Sequence, residues 1–517
     1  MNRIVEVVDR RLGQVTMYRL VTLALAALVV VTMAYTGLGS LGEGLFTFGG
    51  QVASLSVLLV ATVGSSWGFA RVWRVAPHLE SSVITALLLY LLFLPQTDPG
   101  KLGWLGLAGV LASLSKFALA WRGRHVLNPA AAGAFAVYLV QSVLAVDPTN
   151  RVGASWWIAS ADLLPWVAVA AVVVLHRIGR LALGVVFVVV AGALVVMGLS
   201  SFGQPVGDAV VTALQTSPLI FLAAFMLSEP LTLPPRRHQQ MVVALVAAVV
   251  YAYPLAILVV TDTPPLFGIG DQWQVAALLI GNLVAFGFAR RAGMRLELRE
   301  HRERAHGVHE LVFASDRRHG FEPGQHAELH VPHAGADARG TRRMFSVSSP
   351  PHADGTMTFA LRVPETASSL KRALMDLPVG SAVRSTGVVG DFLLPRDTSV
   401  PVALVAGGIG ITPFLSQLRS APERDAVLVY GVPSGDDVAF VDELSTARVV
   451  LVAPTRPARL PESWTWVEGT TLTADVVAAA VPDLADRRAY VSGPPAMVTP
   501  VAAEKTGASR RGAKRTS

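Results

Sequence analysis

The 517-residue chain contains no cysteine. That excludes a disulfide framework, a cysteine-ligated zinc and a cysteine-held iron–sulfur cluster. Charge is scarce too, at 15% of residues, and aromatics make up only 7%. By contrast 52% of residues are hydrophobic and the mean hydropathy is +0.51, too apolar for an ordinary soluble enzyme of this length. The shortage of charge is uneven. Long apolar runs dominate before about Ala289; charge and Gly/Pro turns return after it. Two regions of different solvent are expected. The formal net charge of +7 does not imply nucleic acid, because much of the arginine sits in short loops between apolar runs. No metal site and no nucleic-acid partner are expected.

Candidate membrane spans run over roughly 18–36, 52–70, 79–95, 102–120, 130–146, 163–177, 181–199, 209–227, 240–260 and 272–289. Each approaches the ~20 residues that cross about 30 Å of hydrocarbon. Leu20–Thr36 reads as a retained first span, because Glu6 and Asp9 precede it and no small-residue cleavage pattern does. With a cytoplasmic N-terminus, the inner ends hold Arg3, Arg10, Arg11, Arg19, Arg71, Arg74, Arg122, Arg124, Arg177, Arg180, Arg236, Arg237, Arg290, Arg291 and Arg295. The outer loops hold Glu43, Asp98, Lys101, Asp147, Arg151, Asp162, Asp208, Asp262 and Asp271, of which only two are basic. This asymmetry is what the positive-inside rule predicts. An even number of spans also leaves the C-terminal region in the cytoplasm. The expected location is the cytoplasmic (inner) membrane, multi-pass, with both termini inside and lipid as a partner. His78, His125, His176 and His238 all fall at span boundaries, so facing haem ligands within the bilayer are not expected.

Two polar stretches interrupt the apolar pattern: Ser115–Ala131, with Asn128-Pro129, and Phe225–Pro234, with Glu229-Pro230. Each would break a helix, and irregular backbone at membrane depth is tolerated where it lines a cavity or is buried in protein. Here the chain resembles the NqrB/RnfD family, membrane subunits of the sodium-pumping NADH:quinone reductase and the Rnf complex. The resemblance implies a module that handles flavin or quinone, with Asn128, Pro129, Glu229 and Pro230 as a possible ligand site. That family often carries FMN esterified to threonine. Arg151-Val152-Gly153-Ala154-Ser155 lies at about the corresponding place, with Ser155 where the acceptor would be. FMN at Ser155 and a plain outer loop leading into Trp156-Trp157 both stay open.

Beyond the apolar half, Val402–Leu415 reads VALVAGGIGITPFL. Val402–Ala406 suits a buried strand. Gly407, Gly408 and Gly410 suit a turn free of side chains. Thr412 suits an N-cap, and Pro413 the first helical position. Such a strand, turn and helix N-terminus can receive a pyrophosphate on backbone amides. It is not a GxGxxG fingerprint, since Pro413 stands where the third glycine would be. Earlier, from about Leu296 to Pro395, short alternating strands are spaced by turns, as in a small antiparallel barrel. Within them Arg342–Pro350 reads RRMFSVSSP; on a strand Arg343 and Phe345 share one face and Ser346 takes the other. An arginine, a flat aromatic and a hydroxyl suit a flavin.

The RMFS run, Ser368–Lys371, Gly387–Phe392, GGIGITP at 407–413 and Tyr490–Met497 resemble, in order and spacing, the motifs of the ferredoxin–NADP reductase superfamily. The resemblance implies that Arg343 holds FAD pyrophosphate. Phe345 would pack on the flavin, and Ser346 would reach its N5. Ser369 and Lys371 would reach phosphate, and Gly407, Gly408, Gly410, Thr412 and Pro413 would form the dinucleotide turn. Gly493, Pro494 and Met497 would shape the nicotinamide site. Ser492 replaces the usual cysteine there, which puts the hydride rate in question. No terminal aromatic follows, so an open nicotinamide face or a missing part of the last strand is expected. After the strand Ala426–Tyr430 come Asp436 and Asp437 and no cation, which favours NADH over NADPH.

The expected architecture is an α-helical polytopic membrane domain of about ten spans (1–290), a six-stranded antiparallel β-barrel FAD domain (296–396) and an α/β parallel-sheet NAD domain (400–505). The expected function is a membrane-bound flavoprotein oxidoreductase passing electrons from NADH through FAD to quinone, a membrane-domain flavin or another redox acceptor, alone or with further electron-transfer subunits. An ion-translocating or transmembrane electron-transfer subunit is the first alternative. A nucleotide-sensing transporter or scaffold without turnover is the second.

Overall fold

In the computed structural model the described residues are 17–39, 47–73, 78–121, 124–234, 236–261, 272–289, 293–316, 320–337, 341–352, 354–390, 392–494, 496–498, 501 and 514–515. Glu6, Asp9, Arg3, Arg10, Arg11, Glu43, Arg74, Arg122, Asp262, Asp271, Arg290, Arg291, Asp391 and Pro495 lie outside them. The chain forms two compact units, one over residues 14–291 and one beginning at Ala292.

The first unit is helical. Its helices are α1 (Met17–Gly37), α2 (Phe48–Val72), α3 (Leu79–Leu92), α4 (Pro99–Ala118), α5 (Pro129–Val143), α6 (Leu164–Arg177), α7 (Leu181–Ser201), α8 (Val206–Thr216), α9 (Arg237–Thr261) and α10 (Trp273–Ala289). A short turn, Leu219–Phe221, runs into a π-helical turn, Leu222–Leu227. Local chemistry sets the helix starts. Asp98 accepts from the Lys101 amide ahead of α4, and Asn128 from the Ala131 amide ahead of α5, each with proline at the first position. Large apolar side chains point outward, Val60 at 74% exposure and Val30 at 65%, on helices with almost no charge. The helices lie where spans were expected, but their lengths do not establish ten crossings. Four are long and apolar enough, five if Val206–Thr216 and Leu219–Leu227, bent by 54°, count as one. The 14-residue α3 reaches only about 21 Å.

The second unit begins with β1 (Met294–Ala305), β2 (Val308–Ser315), β3 (His326–His330), β4 (Arg342–Ser346), β5 (Thr356–Arg362), α11 (Ser369–Met375) and β6 (Ala382–Val389). The strands form one six-stranded antiparallel sheet in the order β4-β3-β6-β1-β2-β5. An isolated bridge between Val347 and Phe359 links its two ends. Leu296, Leu298, Phe313, Leu329 and Phe359 fill the inner face with alternating side chains. The second lobe holds β7 (Val402–Gly407), α12 (Thr412–Ser420), β8 (Ala426–Gly431), β9 (Arg448–Ala453), β10 (Trp464–Glu468), α13 (Ala474–Ala480), β11 (Arg488–Ser492) and β12 (Lys514–Arg515). These strands are parallel, in the order β10-β9-β8-β7-β11-β12. Each residue of β7 is buried, as expected of a parallel strand covered on both faces.

The lobes are joined by specific contacts. Ser416 Oγ on α12 donates to the Ser349 carbonyl at 2.6 Å, and Gln417 Nε2 to the Phe392 carbonyl at 2.7 Å. Phe392 packs against Phe414 at a tilt and against Tyr490 edge to face, both at 5.6 Å between ring centroids. Arg304 on β1 pairs with Glu443 at 3.0 Å.

Candidate functional site

Strand order creates the site. After β7 the chain runs outward through β8, β9 and β10, then returns to place β11 on the other side of β7. Ligands of open α/β sheets bind outside the carboxyl ends of the strands at such a reversal. A cleft of about 730 Å³ opens there. From the second lobe it is lined by Gly407, Gly408, Gly410, Thr412, Gly431–Pro433, Ser492, Gly493, Pro494 and Met497. From the first lobe it is lined by Arg343–Ser346, Arg362 and Lys371. The RMFS strand and the glycine turn thus face one shared cleft.

The first-lobe wall depends on β4 lying at the end of its sheet. Arg343 and Phe345 sit opposite Leu329 and Ala327 on the buried face, and Ser346 sits opposite His326 on the other. In a central strand only one face could reach the cleft; on an outer strand both do. Arg343 Nη1 donates to the Arg342 carbonyl at 2.7 Å, with Nη2 3.9 Å from Asp337 Oδ1. Lys371 Nζ donates to the Arg362 carbonyl at 2.5 Å.

The glycine turn differs from its expected form. Gly408–Ile411 is a 3-10 turn, and the helix begins at Thr412 with no side-chain cap. Thr412 is therefore not the N-cap: its backbone is already helical, and its hydroxyl donates back to the Ile409 carbonyl at 3.1 Å. Pro413 consequently stands second in the helix; it is buried there and does not line the cleft. Gly408 has φ +53° and open space beside it. Gly410 is glycine for another reason: a Cβ there would strike the backbone of Ser492 and Gly493.

Ser369 does not line the cleft; its hydroxyl bonds His333 Nε2 and the Asp337 amide, both at 2.9 Å. It is buried at the start of α11, against the 331–337 loop. Sequence reading missed Arg362, at the end of β5, and Thr470–Leu472 on the cleft wall. They carry no motif, and they meet only through the fold.

In the helical unit the two polar stretches come together. Asn128 Nδ2 donates to Glu229 Oε2 at 2.9 Å, and His125 Nδ1 lies 3.3 Å from Glu229 Oε1. The Asn128 amide donates to Asn282 Oδ1 at 2.8 Å. Arg124 Nη2 donates to the carbonyls of Pro230 and Leu233 at 2.8 Å, satisfying backbone groups released where the helix ends. Pro129 follows as the first residue of α5. His125 is thus a partner of Glu229 rather than a plain interfacial residue. Ser155 is exposed and donates to the Leu92 carbonyl at 3.2 Å, apart from this group.

Residues 404–503 match the family model described as the oxidoreductase NAD-binding domain. The chain is 29% identical over 192 residues to the propane 2-monooxygenase reductase component of Mycolicibacterium goodii, covering 34% of this chain and 53% of the relative. It is 29% identical over 210 residues to the ferredoxin–NAD(P)+ reductase component of the naphthalene 1,2-dioxygenase/salicylate 5-hydroxylase systems of a Ralstonia species, covering 38% and 59%. The chain spans about half the length of the curated relatives it matches. Among solved structures, phthalate dioxygenase reductase is 20% identical, with 44% of this chain and 68% of that chain covered and a TM-score of 0.35. Residues 404–503 are thus similar to an oxidoreductase NAD-binding domain.

Proposed function

We propose that this chain is a membrane-anchored, FAD-dependent NADH:acceptor oxidoreductase. The observation that carries the reading is the shared cleft, with three cations (Arg343, Arg362 and Lys371), an aromatic and a hydroxyl on one wall and the glycine turn on the other. That donor set fits a flavin dinucleotide: Arg343 and Lys371 for phosphate, Phe345 for a ring face, Ser346 for a ring nitrogen. The hydride-accepting chemistry is that of bound FAD. The protein's part is alignment: the turn at Gly408 admits the nucleotide backbone, and Ser492, Gly493 and Met497 shape the space for its reactive ring. The similarity to NAD(P)H-dependent reductase components supports the same reading.

The helical unit is read as the membrane anchor, because apolar side chains cover its outer faces and arginines gather at alternate helix ends. Reading its ten helical segments as ten crossings, both termini cytoplasmic, follows from that asymmetry. The NqrB/RnfD resemblance and the Asn128–Glu229 contact favour an acceptor, quinone or flavin, bound within this unit. The purified chain should be yellow, bleach with NADH, and lose flavin in Arg343→Ala. A colourless wild type with a correctly folded second unit refutes the reading. A preference for NADPH above about tenfold in kcat/KM refutes the choice of NADH.

A further inference from the structure

An ion pair joins the two lobes at the edge of the cleft, with Arg362 on the cleft wall. Arg362 ends β5 in the first lobe and lines the cleft. Its Nη2 lies 3.2 Å from Oδ2 of Asp437, which closes the 3-10 turn Gly435–Asp437 after β8 in the second lobe. The two residues are 75 positions apart in sequence. The Asp437 side chain is 17% exposed and that of Arg362 36%. The Arg362 carbonyl is held by Lys371, which anchors the end of its strand. In sheets of this kind the adenosine ribose of a dinucleotide falls near the end of the second strand, here β8. A carboxylate there receives a free 2′-hydroxyl, and an arginine receives a 2′-phosphate. Here an arginine on the cleft wall and a carboxylate just behind it neutralise each other.

We propose that Asp437 masks Arg362, and that this pair sets the preference for a nucleotide lacking a 2′-phosphate. The inference rests on the nucleotide reading of the cleft and deepens it. A phosphate entering beside Asp437 meets a like charge, and Arg362 can turn to it only by leaving its carboxylate. Removing the carboxylate reverses both effects. Read alone, the loop 431–437 contains two aspartates and no cation; the fold supplies the cation from the opposite lobe.

The test titrates the full-length protein in detergent micelles with 5′-AMP and adenosine 2′,5′-bisphosphate, which differ only in the 2′-phosphate. Isothermal calorimetry gives the ratio of the two Kd values. Asp437→Asn is expected to shift that ratio toward the bisphosphate by about tenfold or more. Asp437→Ser should do the same, so the outcome does not depend on one variant folding. Adding Arg362→Gln to either should return the ratio to within about threefold of wild type. An unmoved ratio in both Asp437 variants overturns the proposal. So does a shift that survives Arg362→Gln, which would place the phosphate on another cation such as the exposed Arg456. A wild type that binds neither compound overturns the nucleotide reading and this inference together. A wild type that binds 5′-AMP while the ratio stays fixed overturns only this one.

Discussion

One added methyl at Gly410 tests how the ends of β7 and β11 are held together. A Cβ there would lie 2.6 Å from Gly493 Cα and overlap the Ser492 carbonyl oxygen. Ordinary contact starts at 3.4 Å, so the two backbones must part by about 0.8 Å, the difference between 3.4 and 2.6. Neither partner is a flexible side chain that could swing away. Overpacking of this kind costs roughly 1–3 kcal/mol. At about 2–4 °C per kcal/mol for a body of this size, Tm of the second unit falls by roughly 2–12 °C in Gly410→Ala. Ser492 and Gly493 line the cleft, so 5′-AMP affinity falls with it, by about tenfold or more. Gly407→Ala is the internal comparison. Its Cβ would strike Met497 Sδ at 2.5 Å, the far end of a pliable side chain, and come 3.1 Å from Pro494 Cδ, a contact within a few tenths of an ångström of ordinary. Met497→Ala should therefore recover most of the loss in Gly407→Ala and little of that in Gly410→Ala. Scanning calorimetry of the four variants, with 5′-AMP titration, reads both effects. An unchanged Tm and affinity in Gly410→Ala, or equal rescue at both positions, refutes the reasoning.

Ser416→Ala leaves the buried Ser349 carbonyl without its donor, and should cost about 1–3 kcal/mol, read as a lower Tm of the second unit. In the helical unit, Glu229→Ala strips Asn128 and His125 of a shared acceptor and should lower that unit's thermal stability by roughly 1–3 kcal/mol. Glu229→Gln keeps an oxygen and should recover part of it; equal losses would show that the hydrogen bonds do not matter. Burial, then Arg342 and Arg384, lower the His330 pKa from 6.5 to about 4. The unfolded chain therefore binds this proton more readily than the folded one. The stability the neutral imidazole contributes is complete above pH 6.5 and is lost as pH falls toward 4. His330→Gln should flatten the difference in stability between pH 7 and pH 4.5 relative to wild type; an identical pH profile would refute it.

The local motifs were legible because their chemistry is local. An apolar run, three glycines and a proline dictate a buried strand, a turn and a helix start whatever surrounds them. The RMFS run alternates because strands alternate. Apolar runs before Ala289 and alternating strands after it marked the division into a helical region and a strand-containing region. The cap at Thr412 was misplaced because the 3-10 turn that absorbs the first residues is set by the close approach of β11. The hydrogen bonds of the Ser369 hydroxyl were not legible because the loop that engages it comes from another part of the chain.

Residue order alone determined which segments are apolar and roughly where most helices and strands lie, since these follow from side-chain chemistry within a few residues. Tertiary structure decided which distant groups meet: Arg343 with the glycine turn, Arg362 with Asp437, Asn128 with Glu229. Those pairings depend on strand order and on where helices break, and charges or hydrogen-bonding groups a hundred residues apart leave no trace in local spacing.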